Sequence, residues 1–225
     1  MIKILSKSKE FYYILTLLLY MTLKLACDPL FFRTIEISFF GHSFMSMASS
    51  TIFSSTYALS DMIAFMKGRY IAIIVIITAT LCDGIFSYVI YFASQTIIPN
   101  FTANDIEDLH NTLAINHIAV QLPKLWHNGI IASLVTAIVE VIIFTTLLKK
   151  IKNFAVSTIF SVSIILITHN IILDHQMLKS FDDQWEKIFT GLFLNMILVV
   201  IYALLVQIFI SFYKKSSRSN KYMSS

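Results

Sequence analysis

The sequence predicts an all-α membrane protein: a six-transmembrane-helix bundle with both termini on the cytoplasmic side. Three observations predict it. The chain is 57% hydrophobic and only 13% charged, with a mean hydropathy of +0.76, whereas an ordinary soluble domain is about 25% charged. Its apolar residues fall in runs long enough to cross a bilayer core, which takes about 20 residues of helix. Its basic residues cluster between those runs on alternate sides.

The candidate spans lie near residues 11–28, 44–66, 69–94, 128–148, 153–173 and 188–212. Closed barrels also satisfy the backbone in lipid, but their short strands alternate in polarity. Ile71 to Ile77 and Ile197 to Val206 are continuous apolar runs without that period, so helices are the expected elements. With the N-terminus inside, Lys3, Lys7, Lys9, Lys67, Arg69, Lys149, Lys150, Lys152, Lys214, Lys215, Arg218 and Lys221 are cytoplasmic. The basic residues assigned elsewhere are Lys24, Arg33, Lys124, Lys179 and Lys187, while the outer segments hold acids such as Asp28, Glu36, Asp105 and Asp183. The asymmetry sets the orientation.

The organisation read from this pattern is a cytoplasmic tail over 1–10, a single membrane domain over 11–212 with an outer loop at 95–127, and a cytoplasmic tail over 213–225. The first run follows Lys3, Lys7 and Lys9 as a secretory signal does, and Leu25-Ala26-Cys27 faintly resembles a lipoprotein cleavage site. Lys24 stands where such a site wants an aliphatic residue, so the run is read as an anchor. Within the outer loop, an apolar stretch from Leu113 to Val120 suggests an amphipathic segment on the interface, and Asn100-Phe101-Thr102 fits a glycosylation acceptor. Cys27 and Cys82 lie at different depths, which disfavours a disulfide. The positive charge is distributed as a topology signal rather than a stripe, so no nucleic-acid partner is expected.

Acids at membrane depth cost about 2.5–3.5 kcal/mol each on insertion scales and are functional hypotheses by default. Asp61, Asp83 and Glu140 qualify, against the simpler reading that each bonds a buried hydroxyl or lies near an interface. The second span is the least lipid-like, and helical spacing places Ser46, Ser50, Ser54, Tyr57 and Asp61 on one face. Such a stripe is either a close helix contact or the wall of a solute cavity. The fourth span adds Ser133, Thr136 and Glu140 on another polar stripe. The expected substrate-binding residues are therefore Ser54, Tyr57, Asp61, Asp83, Ser133, Thr136 and Glu140.

Motifs for catalysis are missing: there is no Gly-x-Ser-x-Gly, no His-Glu-x-x-His, no clustered Cys/His metal site and, with 5 glycines in all, no phosphate-cradling loop. The chain reads as a non-enzyme, without catalytic residues, cofactor or metal.

Between Ser54 and Ala72, the stretch STYALSDMIAFMKGRYIA resembles the signature of the queuosine-precursor transporter family, also called the vitamin-uptake-transporter-like family. In that signature an aromatic residue, a hydroxyl and an aspartate precede a glycine, here Tyr57, Ser60, Asp61 and Gly68, followed by Arg69 and Ala72. The fourth span continues the likeness with Ala132, Glu140 in place of an aspartate, Phe144, Lys149 and Lys150, and Ser157-Thr158 resembles the opening of the family's next helix. Three positions depart from the pattern: Ser54 stands for a proline, Phe65 for an acid, and Ile165 for the fifth helix's aspartate.

The resemblance implies import of a small polar solute, a queuosine precursor of the 7-deazaguanine type or a related vitamin-like compound. Asp61 and Glu140 would accept hydrogen bonds from its N–H groups, and Tyr57 would stack on its ring. The expected partners are the lipid bilayer and that solute. A homo-oligomer, or a separate energising subunit in place of a coupling ion, stays open, and a bacterial inner membrane is the expected location. The rival reading is a non-transporting anchor or interaction protein whose polar faces pack against other helices.

Overall fold

A computed structural model describes residues 9–31, 33–39, 42–95, 106–169 and 184–221. They form six helices and one hairpin: α1 (Lys9–Phe31), β1 (Thr34–Phe39), β2 (His42–Met47), α2 (Ser50–Lys67), α3 (Arg69–Ser94), α4 (Ile106–Ile151), α5 (Phe154–His169) and α6 (Gln184–Lys221). The chain is thus an all-α membrane bundle apart from the hairpin. Four stretches are long and apolar enough to cross a bilayer: Lys9–Phe31, Arg69–Ser94, Thr112–Ile151 and Ile188–Lys214. The apolar part of α5, Phe154–Thr168, is shorter.

α2 owes its polarity to its place. It is the central helix, packed against all five others, and every residue from Ser54 to Ala64 is buried. A helix that meets no lipid needs no apolar perimeter, so its serines and Asp61 face neighbouring helices. The outer helices show the reverse arrangement. Ile74, Leu81, Ile85 and Phe92 of α3 and Leu204 and Ile208 of α6 are exposed, whereas Thr80, Asp83 and Ser87 of α3 and Asn195 of α6 are buried. Apolar outside and polar inside is the polarity expected of a bundle solvated by lipid.

Three segments differ from the sequence expectation. The second span does not begin at residue 44, because His42–Met47 pairs antiparallel with Thr34–Phe39, with Thr34 opposite Met47 and Phe39 opposite His42. The alternation Thr34-Ile35-Glu36-Ile37-Ser38-Phe39 has the period of two that makes a strand. The expected outer loop at 95–127 is helix from Ile106 onward, continuous with the fourth span, so α4 is about 69 Å long at 1.5 Å per residue. Its early turns are held against α3: Trp126 Nε1 donates to the Thr80 carbonyl at 3.0 Å, and Ala119 and Leu122 are buried. The stretch 213–221, expected as a tail, continues α6. The acceptor tripeptide at Asn100 lies outside the described residues.

Basic residues gather at one end of the bundle. Lys67 at the end of α2 donates to Glu10 of α1 at 2.8 Å, a hydrogen bond that pushes the ammonium above its usual range. Lys214 lies over the Phe65 ring, and Phe65 contacts Phe154 and Tyr213. These contacts gather the start of α1, the end of α2, the start of α5 and the late turns of α6, and the short links at Gly68 and Lys152 bring Arg69, Lys149 and Lys150 to the same end. Gly68 joins α2 to α3 with φ of +89°, a conformation in which a side chain strains the backbone.

Candidate functional site

Asp61 of α2 and Glu140 of α4 are both wholly buried, at 0% exposure. The carboxyls lie within hydrogen-bonding reach of one another. Ser161 of α5 donates to Glu140 Oε1 at 2.8 Å. Asp61 Oδ1 and Oδ2 and Glu140 Oε2 form no hydrogen bond of ordinary geometry, and the Thr158 hydroxyl, itself unbonded by that measure, is the donor beside Asp61. Two acceptors therefore face each other. Neither acid forms an ion pair among the described residues. Like charges at this distance in a low-dielectric interior cannot both persist, so the pair must share a proton or hold a cation, and its unbonded oxygens can in addition accept from an N–H donor.

A second ionisable cluster joins α1 to α3. Lys24 Nζ lies 3.5 Å from Asp83 Oδ2, with the two side chains 12% and 2% exposed. Asp83 Oδ1 and the Ser87 hydroxyl have no hydrogen-bond partner. The sequence reading set Lys24 apart from the cytoplasmic basic residues, within the first span at 11–28, and α1, which continues through Pro29 to Phe31, carries it inside the helix. Cys27 is buried and Cys82 half-buried, both as free thiols.

Between the clusters lies a cavity of about 20 Å³ lined by Tyr20 and Lys24 of α1, Phe53, Thr56, Tyr57 and Ser60 of α2, Ile76 and Thr80 of α3, and Ser133 and Ala137 of α4. That is room for one water. Ser60 directly precedes Asp61, and Ala137 lies three residues before Glu140. The cavity is therefore one residue from Asp61 on α2 and about one turn from Glu140 on α4, and neither acid lines it.

The seven residues expected at the site fall in four places. Asp61 and Glu140 meet. Tyr57 and Ser133 line the cavity, and Tyr57 also contacts Phe53 edge-on with ring centroids 5.2 Å apart. Asp83 pairs with Lys24. Ser54 and Thr136 lie elsewhere: Ser54 donates to Asn195 Oδ1 on α6 at 2.8 Å, and Thr136 donates to the Ala132 carbonyl of its own helix at 2.8 Å. Sequence reasoning missed Lys24, Tyr20 and Thr80 as cavity residues. Lys24 alone carried a signal, as an ionisable residue on an apolar helix.

Comparison of the chain with protein-family models, curated proteins and solved structures finds no match.

Proposed function

We propose that this chain is a membrane transporter of six spans, with both termini inside, that imports a small polar solute. The observation that carries the reading is the Asp61–Glu140 pair: two carboxyls from different helices, wholly buried and facing each other, with three of four oxygens forming no hydrogen bond of ordinary geometry and Thr158 the donor beside Asp61. Each acid costs about 2.5–3.5 kcal/mol to insert at membrane depth, and neither repays that cost with an ion pair among the described residues. A helix bundle that merely anchors has no use for such a pair. A solute with N–H donors supplies what both acids lack.

The solute class follows from the sequence resemblance, a queuosine precursor of the 7-deazaguanine type or a related vitamin-like compound. The gathering of Lys9, Lys67, Arg69, Lys149, Lys150 and Lys214 at one end supports an N-in, C-in orientation, and a bacterial inner membrane suits that charge pattern. A site for a ring compound is normally some 300–1,000 Å³, far more than the present cavity. Binding therefore requires α2 to part from α1, α3 or α4, as alternating access about a midplane site demands. With no ATP-binding loop in the sequence, transport is facilitated or ion-coupled unless a separate subunit supplies the energy, and no catalysis is assigned.

The deciding experiment is uptake of a labelled 7-deazaguanine by cells unable to make it. Asp61→Asn keeps the shape of the side chain but exchanges an acceptor oxygen for a donor; uptake is expected to fall on the order of tenfold or more, with the amount in the membrane unchanged. Full uptake by that variant overturns the assignment.

The rival reading, an anchor or interaction protein with polar packing faces, has one observation in its favour. The Ser55, Thr56 and Ser60 hydroxyls donate to carbonyls three residues back in α2 itself, so they need no solute. A thermal-shift screen of nucleobases, deazapurines and vitamins separates the two, since only a binding protein gains stability above its Kd.

A further inference from the structure

Resting on the transporter reading above, we infer that Lys24 is the residue that selects the solute: its ammonium takes a carbonyl or carboxylate oxygen. The substrates are then compounds that carry such an acceptor beside N–H donors. Three observations meet at this residue. Lys24 lines the cavity together with Tyr57, Thr56, Ser60 and Ser133, so its side chain borders the space a solute enters. A lysine ammonium has three donors; this one has Asp83 Oδ2 at 3.5 Å, beyond the usual length of a charge-assisted hydrogen bond, with the Asp28 carboxyl one turn on in α1 as a second acid nearby. Asp83 keeps the other oxygen unbonded, so the pair fixes Lys24 in place without saturating it.

Depth makes the arrangement directional. Counting along the helices from the basic end at 1.5 Å per residue, Asp61 lies about 9 Å in, Glu140 about 14 Å and Lys24 about 23 Å. Neither acid lines the present cavity, which lies between them and Lys24, and Lys24 stands beside Asp83 and Asp28 at its outer side. A solute that opens the cavity toward the acid pair presents N–H groups inward to Asp61 and Glu140 and an oxygen outward to Lys24. A solute with donors alone leaves the lysine facing an apolar or donor atom, and a site built to hydrogen-bond a group rejects the analogue lacking it.

The test separates a binding role for Lys24 from a strut between α1 and α3. The exchanged pair Lys24→Asp with Asp83→Lys restores the strut but moves the cation to another helix. We expect normal membrane level and a Tm within about 2 °C of the wild type, with 7-deazaguanine uptake reduced on the order of tenfold. The neutral pair Lys24→Met with Asp83→Leu is expected to lose the preference of the wild type for 7-deazaguanine over its analogue lacking the ring carbonyl. Wild-type uptake by the exchanged pair, or an unchanged preference in the neutral pair, overturns the inference. Should neither double variant reach the membrane, Lys24→Arg decides: it keeps the ion pair, so a strut leaves KM unaltered, whereas a binding residue raises it on the order of tenfold. Loss of uptake in Asp61→Asn alongside full uptake in the exchanged pair removes this inference and leaves the transporter reading standing. A wild type that takes up no 7-deazaguanine, or full uptake in Asp61→Asn, removes the reading on which both rest.

Discussion

The Ser161 hydroxyl donates to Glu140 Oε1 from α5, where Thr158 also lies beside Asp61. Ser161→Ala leaves Glu140 Oε1 buried without it, and an orphaned buried acceptor costs about 1–3 kcal/mol. The variant should melt lower in detergent, Ser161→Thr should melt near the wild type, and Glu140→Gln combined with Ser161→Ala should recover part of the loss because the remaining group carries no charge. An unaltered melting temperature in Ser161→Ala contradicts the buried hydrogen bond. At this scale the sequence was informative about cost and silent about company. Asp61 and Glu140 stood out because carboxylates in apolar runs are expensive, but that they meet, and that Ser161 and not another hydroxyl serves Glu140, depends on how α2, α4 and α5 are rotated. Thr136 shows the converse: its spacing put it on the stripe, and its hydroxyl donates instead to a carbonyl one turn back in its own helix.

Among the elements, the contact of α3 with α4 rests on a small residue under a large one. A Cβ on Gly84 would come within 2.5 Å of the Trp126 ring, whose Nε1 donates to the Thr80 carbonyl and whose ring meets Tyr88 with centroids 6.3 Å apart. Gly84→Ala therefore overpacks the contact and is expected to cost about 1–3 kcal/mol, read as a lower midpoint of thermal unfolding, with partial rescue by Trp126→Phe, which removes the crowding part of the indole. No change in Gly84→Ala would show that the early turns of α4 do not lie on α3. Helix existence was legible along the chain because apolar runs of this length leave few alternatives. Boundaries were not. The run before Ser50 looked like span but pairs with the alternating stretch Thr34–Phe39, and the stretch before residue 128 looked like loop because its polar residues hide a helix whose buried positions, Ala119 and Leu122, become visible only against α3.

For the whole molecule, polarity is reversed relative to a soluble protein, with hydroxyls and acids enclosed and large apolar side chains outward. Its orientation is open to a chemical test on a background with Cys27 and Cys82 replaced. Glu36→Cys should react with a membrane-impermeant maleimide in intact cells, and Lys67→Cys and Lys150→Cys only after the membrane is opened. Labelling of Lys150→Cys from outside contradicts the inward placement of the basic end.

Composition and run length alone determined that this chain is helical and belongs in a bilayer, because the cost of exposing or orphaning polar groups in each solvent depends on residue type and little else. The same reasoning marked Asp61, Asp83 and Glu140 as residues needing an explanation. Tertiary structure alone decided that α2 is the enclosed helix, that Asp61 faces Glu140, and that Lys24 belongs to the interior with Asp83. Those facts depend on which faces of separate helices come together, and the one-dimensional pattern of a helix leaves its rotation and its neighbours unspecified.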